Sequence, residues 1–303
     1  MAPHWLRALP LRALPLLALG LTLSQPLPAW ALVPYAYVPR PAELEGAGLG
    51  IAQAAARLLR LGQAADAARL AALTVQLLPD DPRGWVLLAE AQLRSNQLKA
   101  AGISLAKAKQ LDQGNAGIWF AEGSLALRDN RAQEAVTLLQ QGLRLDSKNA
   151  SAYFDLGNAR ILLNQPGEAL AAFEQASRLR SNFWEAINNQ ALVLFEQGNT
   201  KAAVGRWRQV LAIKADAAEP NLALAAALYQ LQGSGSSEAL ELADKALSAE
   251  PNYVLESYQT TQLWGPKLRG ATQLLFREPS LRPAVERAMA NANPDQDSSE
   301  EEL

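Results

Sequence analysis

The chain contains no cysteine and a single histidine, His4. Without cysteine, no disulfide can brace the protein in any compartment. Histidine and cysteine supply most zinc and transition-metal ligands, most general bases near neutral pH, and the nucleophile or base of the common catalytic triads. A chain with neither beyond residue 4 reads as a non-enzyme with no cofactor and no metal. Charge of one sign is also lacking: 28 Lys and Arg stand against 30 Asp and Glu. That balance argues against a nucleic-acid binder, which needs a clustered basic surface. No glycine-rich phosphate loop follows a readable strand. Long hydrophobic runs are missing too. The apolar run from Ala13 to Leu23 is about half the roughly 20 residues a bilayer span needs, and Pro15 interrupts it.

That short run follows Arg7 and Arg12 and precedes Pro26, Pro28 and Ala29-Trp30-Ala31, the organisation of an export signal. Small residues at the minus 3 and minus 1 places, Ala29 and Ala31, put cleavage after Ala31 and make 1–31 a signal peptide. An uncleaved anchor is the alternative, because no charge lies between Arg12 and Arg40. Residues 32–47 carry Pro34, Pro39 and Pro41 beside Tyr35 and Tyr37 and read as an extended lead-in. At the other end, 294–303 holds Asp295, Asp297, Glu300, Glu301 and Glu302 and reads as an acidic, disordered, solubilising tail.

Between these flanks alanine recurs at 67, 101, 135, 169 and 203, and again at 239 after a small insertion at Gly233-Ser234-Gly235-Ser236. A 34-residue period is the length of a two-helix unit that cannot bury its apolar face alone and stacks on copies of itself. With that alanine at position 20, six units follow: 48–81, 82–115, 116–149, 150–183, 184–217 and 218–253. Position 8 is then Ala55, Ala89, Gly123, Gly157, Ala191 and Ala225, all small. Two small residues facing each other let helix axes approach to about 8 Å, and a leucine at either place would be overpacked. Trp85, Trp119 and Tyr153 at position 4, and Leu105, Leu139, Phe173 and Trp207 at position 24, read as core fillers around this contact.

The segment Tyr153-x2-Leu156-Gly157 followed by Ala169-x3-Phe173 resembles the tetratricopeptide-repeat (TPR) signature. Trp85-x2-Leu88 and Trp119-x3-Gly123 carry it in weaker form. There are departures: Arg160 replaces an expected tyrosine, and the proline that closes the second helix appears only as Pro79 and Pro251. The resemblance covers 48–253 and implies an all-α, right-handed α-solenoid of six TPR helix pairs. Residues 254–293 follow as a helical cap of three segments, 254–264, 267–277 and 280–292, broken at Gly265-Pro266 and Pro279. Leu268, Ala271, Leu274 and Leu275 form an apolar stripe there, and Trp264 and Phe276 are placed to cover the last open face of the array.

In that family the first helix of each unit lines a concave surface, with positions 2, 5, 6, 9, 12 and 13 facing a ligand. Transferred to this chain, the groove runs from Arg60, Arg83, Arg94 and Arg128 in its first half to Asp155, Asn158, Glu185, Asn188, Asn189 and Glu196 in its second, with aromatic side chains at Phe120, Phe154, Phe195 and Tyr229. Arginines suit carboxylates, and paired amides suit an extended peptide backbone. The clamp by which some members hold acidic chaperone tails is absent. Its five positions read Phe154, Asn158, Asn189, Glu219 and Ala223, and all three basic places fail. The resemblance therefore implies an exported, non-catalytic scaffold or assembly factor. It would hold a protein or extended peptide in the periplasm or, for a cyanobacterial type, the thylakoid lumen, with peripheral association to a membrane complex. The alternative is a substrate-presenting component of an envelope carbohydrate-processing or secretion enzyme system.

Overall fold

The computed structural model describes residues 41–233 and 236–293. The signal with Ala29 and Ala31, the lead-in as far as residue 40, and the acidic tail lie outside the described residues. Within them all regular structure is helical, and the helices come in consecutive antiparallel pairs. The pairs are α1 (Pro41–Arg60) with α2 (Ala64–Leu77), α3 (Pro82–Arg94) with α4 (Leu98–Leu111), and α5 (Ala116–Arg128) with α6 (Ala132–Leu145). They continue as α7 (Ala150–Leu162) with α8 (Pro166–Leu179), α9 (Trp184–Glu196) with α10 (Thr200–Ile213), and α11 (Ala218–Gln232) with α12 (Ser237–Ala249). Beyond them lie α13 (Glu256–Thr261), α14 (Pro266–Phe276) and α15 (Arg282–Asn291), joined by short 3-10 turns at Pro251–Val254 and Pro279–Leu281.

Local chemistry sets the helix ends. Asp81, Asn115 and Asn149 cap α3, α5 and α7, accepting from the amides of Arg83, Gly117 and Ala152. Each satisfies one of the amides that a helix start leaves without a partner. The turn between the two helices of a pair is closed by a left-handed residue at the same place in five successive units: Gly62, Asn96, Asn130, Asn164 and Gly198, with φ between 55° and 85°. The following amides reach back five residues, as Gln97 N–H to Gln92 O and Arg131 N–H to Ala126 O, the Schellman pattern. Residues 41–47 depart from the extended lead-in read from sequence, because α1 begins at Pro41. Proline is pre-set for the first helical position, where its missing N–H costs nothing, and Glu43 complements the dipole of that turn.

The small residues at positions 8 and 20 are buried in all six pairs: Ala67, Ala101, Ala135, Ala169, Ala203 and Ala239 have no exposed surface. A Cβ built on Gly123 would lie 2.6 Å from Leu139 Cγ, and one on Gly157 would strike the Phe173 ring. Glycine there is the cavity that accepts the filler of the partner helix. Leu105, Leu139, Phe173 and Trp207 are fully buried. Trp85 and Trp119 fill the core only in part, Trp85 packing against Ala55, Ala71, Val75 and Leu88. Each tryptophan is half-buried, and its indole N–H donates to the carbonyl of Pro79 or Gln113 in the loop before its own helix. An indole has a polar edge, and at this position that edge ties down the turn between units.

The cap does more than cover an end. α15 and the turn Pro251–Val254 pack on α12, the last helix of the array, but α14 crosses to α11 and α9. Trp264, Leu268, Ala271 and Leu275 are buried in this contact, while Leu274 of the expected stripe is 54% exposed. α11 has to be apolar on both sides to accept it, and Leu222 to Leu228 are all buried.

Candidate interaction groove

The concave face is lined by the first helices of the pairs, which touch in sequence from α1 through α3 and α5 to α7. Between α3, α5 and α7 an open trough of about 550 Å³ is walled by Arg94, Phe120, Ala121, Ser124, Arg128 and Phe154. Asp155 lies at its floor. The trough thus brings together five of the residues read from sequence: Arg94, Arg128, Phe120, Phe154 and Asp155. Their roles differ. The Phe154 ring stacks at 5.8 Å from Phe173 and 5.1 Å from Phe183, so it is largely floor. Phe120 rests on Gly142 of α6, where any Cβ would collide with the ring. The arginines are the exposed rim. Arg94 pairs with Glu90 one turn earlier at 2.6 Å and reaches the Leu59 carbonyl at 3.4 Å. Arg60 is exposed at the end of α1. Arg83 is diverted, because its guanidinium forks onto Asp81 at 2.7 Å, in the turn that caps α3.

Asp155, one of the acids at groove positions by register, lies in the trough and is its most perturbed group. Burial pushes its carboxyl up to about 6, against the hydroxyl of Ser124, which donates to it, and the positive charges of Arg128 and Arg94. Nothing in the sequence marks it beyond its place at position 6; the perturbation comes from packing between α5 and α7.

In the second half the expected ligand groups are already engaged. Asn188 is 1% exposed, accepts from the Trp207 indole at 3.1 Å, and donates to Asn189 at 3.4 Å. Asn189 donates to Asn158 at 3.0 Å, which links α9 to α7 across the groove face. Phe195 is buried with its ring 5.8 Å from that of Trp207. The Tyr229 hydroxyl donates to Glu278 of the cap at 2.9 Å. Asn188 and Phe195 are thus buried on α9, while Asn189 lines the cleft that α14 leaves beside it, and α14 is held by two acids of the neighbouring helices. Glu196 accepts the Lys267 and Leu268 amides at 3.2 and 2.9 Å and so caps the start of α14. Glu219 accepts from the Trp264 indole at 2.8 Å, and burial pushes its carboxyl up to about 7. The sequence could not show this, because a helix returning into the groove leaves no trace in the 34-residue register. Beside the Leu263–Pro266 loop a second cleft of about 460 Å³ remains, lined by Ile161, Phe173, Leu192, Val193 and Trp264. Among the described residues no group of three or more histidine or acidic side chains is placed to hold a metal.

The fold and this concave face define an α-solenoid of the tetratricopeptide type. A tetratricopeptide-repeat family profile matches residues 120–182, which span most of α5 through α8. Among solved structures, Pseudomonas aeruginosa pilF aligns at TM-score 0.55 and 19% identity, over 75% of this chain and 96% of that one. A thermophilic TPR protein of Thermus thermophilus aligns at 0.53 and 18%, over 60% of this chain and 98% of that one. The anaphase-promoting-complex hetero-tetramer Cut9-Hcn1 aligns at 0.62 and 15%, over 80% of this chain but only 43% of that one. Comparison with curated proteins gives no match. At these identities the structural likenesses establish the fold alone.

Proposed function

We propose that this protein is an exported, non-catalytic scaffold or assembly factor that holds a segment of a partner polypeptide in the trough of α3, α5 and α7. The observation that carries the reading is the contrast between the two halves of one concave face. In the second half α14 packs over α9 and α11 and leaves a narrower cleft beside Trp264, whereas the first half is an open trough lined by Phe120 and Phe154, with Arg94, Arg128 and Glu90 at its rim and Asp155 below. A polypeptide lying there would set its charged side chains against Arg94 and Arg128 and its apolar ones against Phe120 and Phe154. The tetratricopeptide fold supports a binding role, since proteins of this architecture serve as interaction scaffolds. Export is supported by Arg7, Arg12, the run Ala13 to Leu23, and Ala29-Trp30-Ala31. No helix among the described residues is long and apolar enough to cross a membrane.

A photo-crosslinking residue at Ala121, in the trough, should capture a polypeptide in intact cells. The same residue at Ile103, 72% exposed on α4, should not. Equal capture at both places, or none at Ala121, would remove the trough as the site. The mass of the protein recovered from the host envelope tests export separately, with an amino terminus at Leu32 as the expected result.

A further inference from the structure

The arginine row is confined to one end of the array. Position 13 is Arg60, Arg94 and Arg128 in the first three units, then Leu162, Glu196 and Gln230. All three arginines are exposed, and among the described residues Arg60 and Arg128 have no ion-pair partner. The acids outside the helical array are at the opposite end. The last described residue, Asn293, donates its amide to Asn252 at 2.8 Å beside the end of α12, and Asp295, Asp297, Glu300, Glu301 and Glu302 follow it. The row of arginines thus belongs to the first three units, and the five acids follow in sequence after the last described residue at the other end of the array.

We propose that the row Arg60, Arg94 and Arg128 docks the acidic segment Asp295–Glu302 of a second copy, so that copies associate head to tail. This rests on the reading of the trough as a polypeptide site and names one occupant for it. The spacing fits. Neighbouring helices pack roughly 8–10 Å apart, and an extended chain advances about 3.3 Å per residue, so successive guanidiniums call for a carboxylate about every third residue. Asp297 and Glu300 stand at that interval, with Asp295, Glu301 and Glu302 flanking them. The pair between Arg94 and Glu90 is exposed and within one helix, so it competes weakly. A molecule's own segment is poorly placed to do this. From Asn293 to Glu302 a fully extended chain spans at most roughly 30 Å. Arg128 lies three helix pairs away, already roughly 24–30 Å, and Arg94 and Arg60 lie farther. A contact between a surface at one end and a different surface at the other is heterologous, so it propagates unless it closes into a ring.

The test uses the full chain in sedimentation velocity at rising concentration. The parent protein should form species larger than a dimer at low salt and dissociate at high salt. One variant replaces Arg60, Arg94 and Arg128 with Gln; another replaces Asp295 and Asp297 with Asn and Glu300, Glu301 and Glu302 with Gln. Each alone should be monomeric. Their mixture should give one-to-one pairs that do not grow, because each variant keeps one of the two complementary surfaces. A labelled peptide covering residues 294–303 should bind the acid-neutralised variant and bind the same protein at least about tenfold more weakly once the arginines are also replaced. A parent that stays monomeric throughout, or variants that associate as the parent does, would overturn the proposal. If crosslinking from Ala121 still captures another polypeptide while this peptide fails to bind, the scaffold reading stands and the self-docking alone is lost.

Discussion

Glu219 sits under the Trp264 indole with its carboxyl raised to about 7, where an unfolded glutamate titrates near 4.3. The folded state therefore keeps a proton that the unfolded chain releases, so this group's contribution is full below the unfolded value and is lost as pH rises through about 7. With each pKa unit worth about 1.4 kcal/mol, the loss is at most about 4 kcal/mol. The urea midpoint should fall between pH 5 and pH 8. Glu219→Gln keeps an acceptor for the indole and should flatten most of that fall; an unchanged slope would place the pH dependence elsewhere. Asp155, raised to about 6, adds a smaller decline of the same sign. Packing makes a second demand at this scale. Ala135 and Ala169 have no exposed surface, so leucine at either should lower stability by about 1–3 kcal/mol in denaturant titration.

Among the elements, the turn inside each pair is the most exacting. Asn130 stands at φ 57°, a conformation that costs a β-branched residue about 1–2 kcal/mol and glycine nothing. Asn130→Gly should keep the thermal midpoint or raise it slightly, while Asn130→Val should lower it. The series Gly62, Asn96, Asn130, Asn164 and Gly198 is a second 34-residue rhythm that the reading of the alanines passed over, although only glycine and asparagine enter that region readily. The alanine rhythm was legible because helix approach restricts each site to one class of side chain. What could not be read was which side of a helix is covered by something outside the rhythm. Asn188, Phe195 and Tyr229 occupy groove positions by register, yet α14 and its neighbours enclose them. Glu196 supplies the cap of α14 from more than 70 residues away, a pairing invisible to local propensity. Glu196→Ala should loosen the start of α14 by about 1 kcal/mol, read as faster amide exchange at Lys267 and Leu268.

For the whole molecule, a stack of helix pairs would ordinarily be held only by contacts between neighbours. Removing everything after Tyr253 would bare the sides of α11 and α12 that now bury Trp264, Leu268, Ala271, Leu275 and Leu281. The shortened protein should aggregate, and its light scattering should rise with concentration. A clear, helical, monomeric fragment would show that α14 and α15 are dispensable. The returning helix has another effect. By joining Glu196 to Leu268 and Glu219 to Trp264, it stitches the ninth, eleventh and fourteenth helices into a single block that must open together. Among the described residues, α1 and α2 make their main contacts with each other and with α3. The array then unzips from one end. Under a pulling force or slow hydrogen exchange, protection should fall stepwise from α11 toward α1, and the block containing α14 should be the last part to yield.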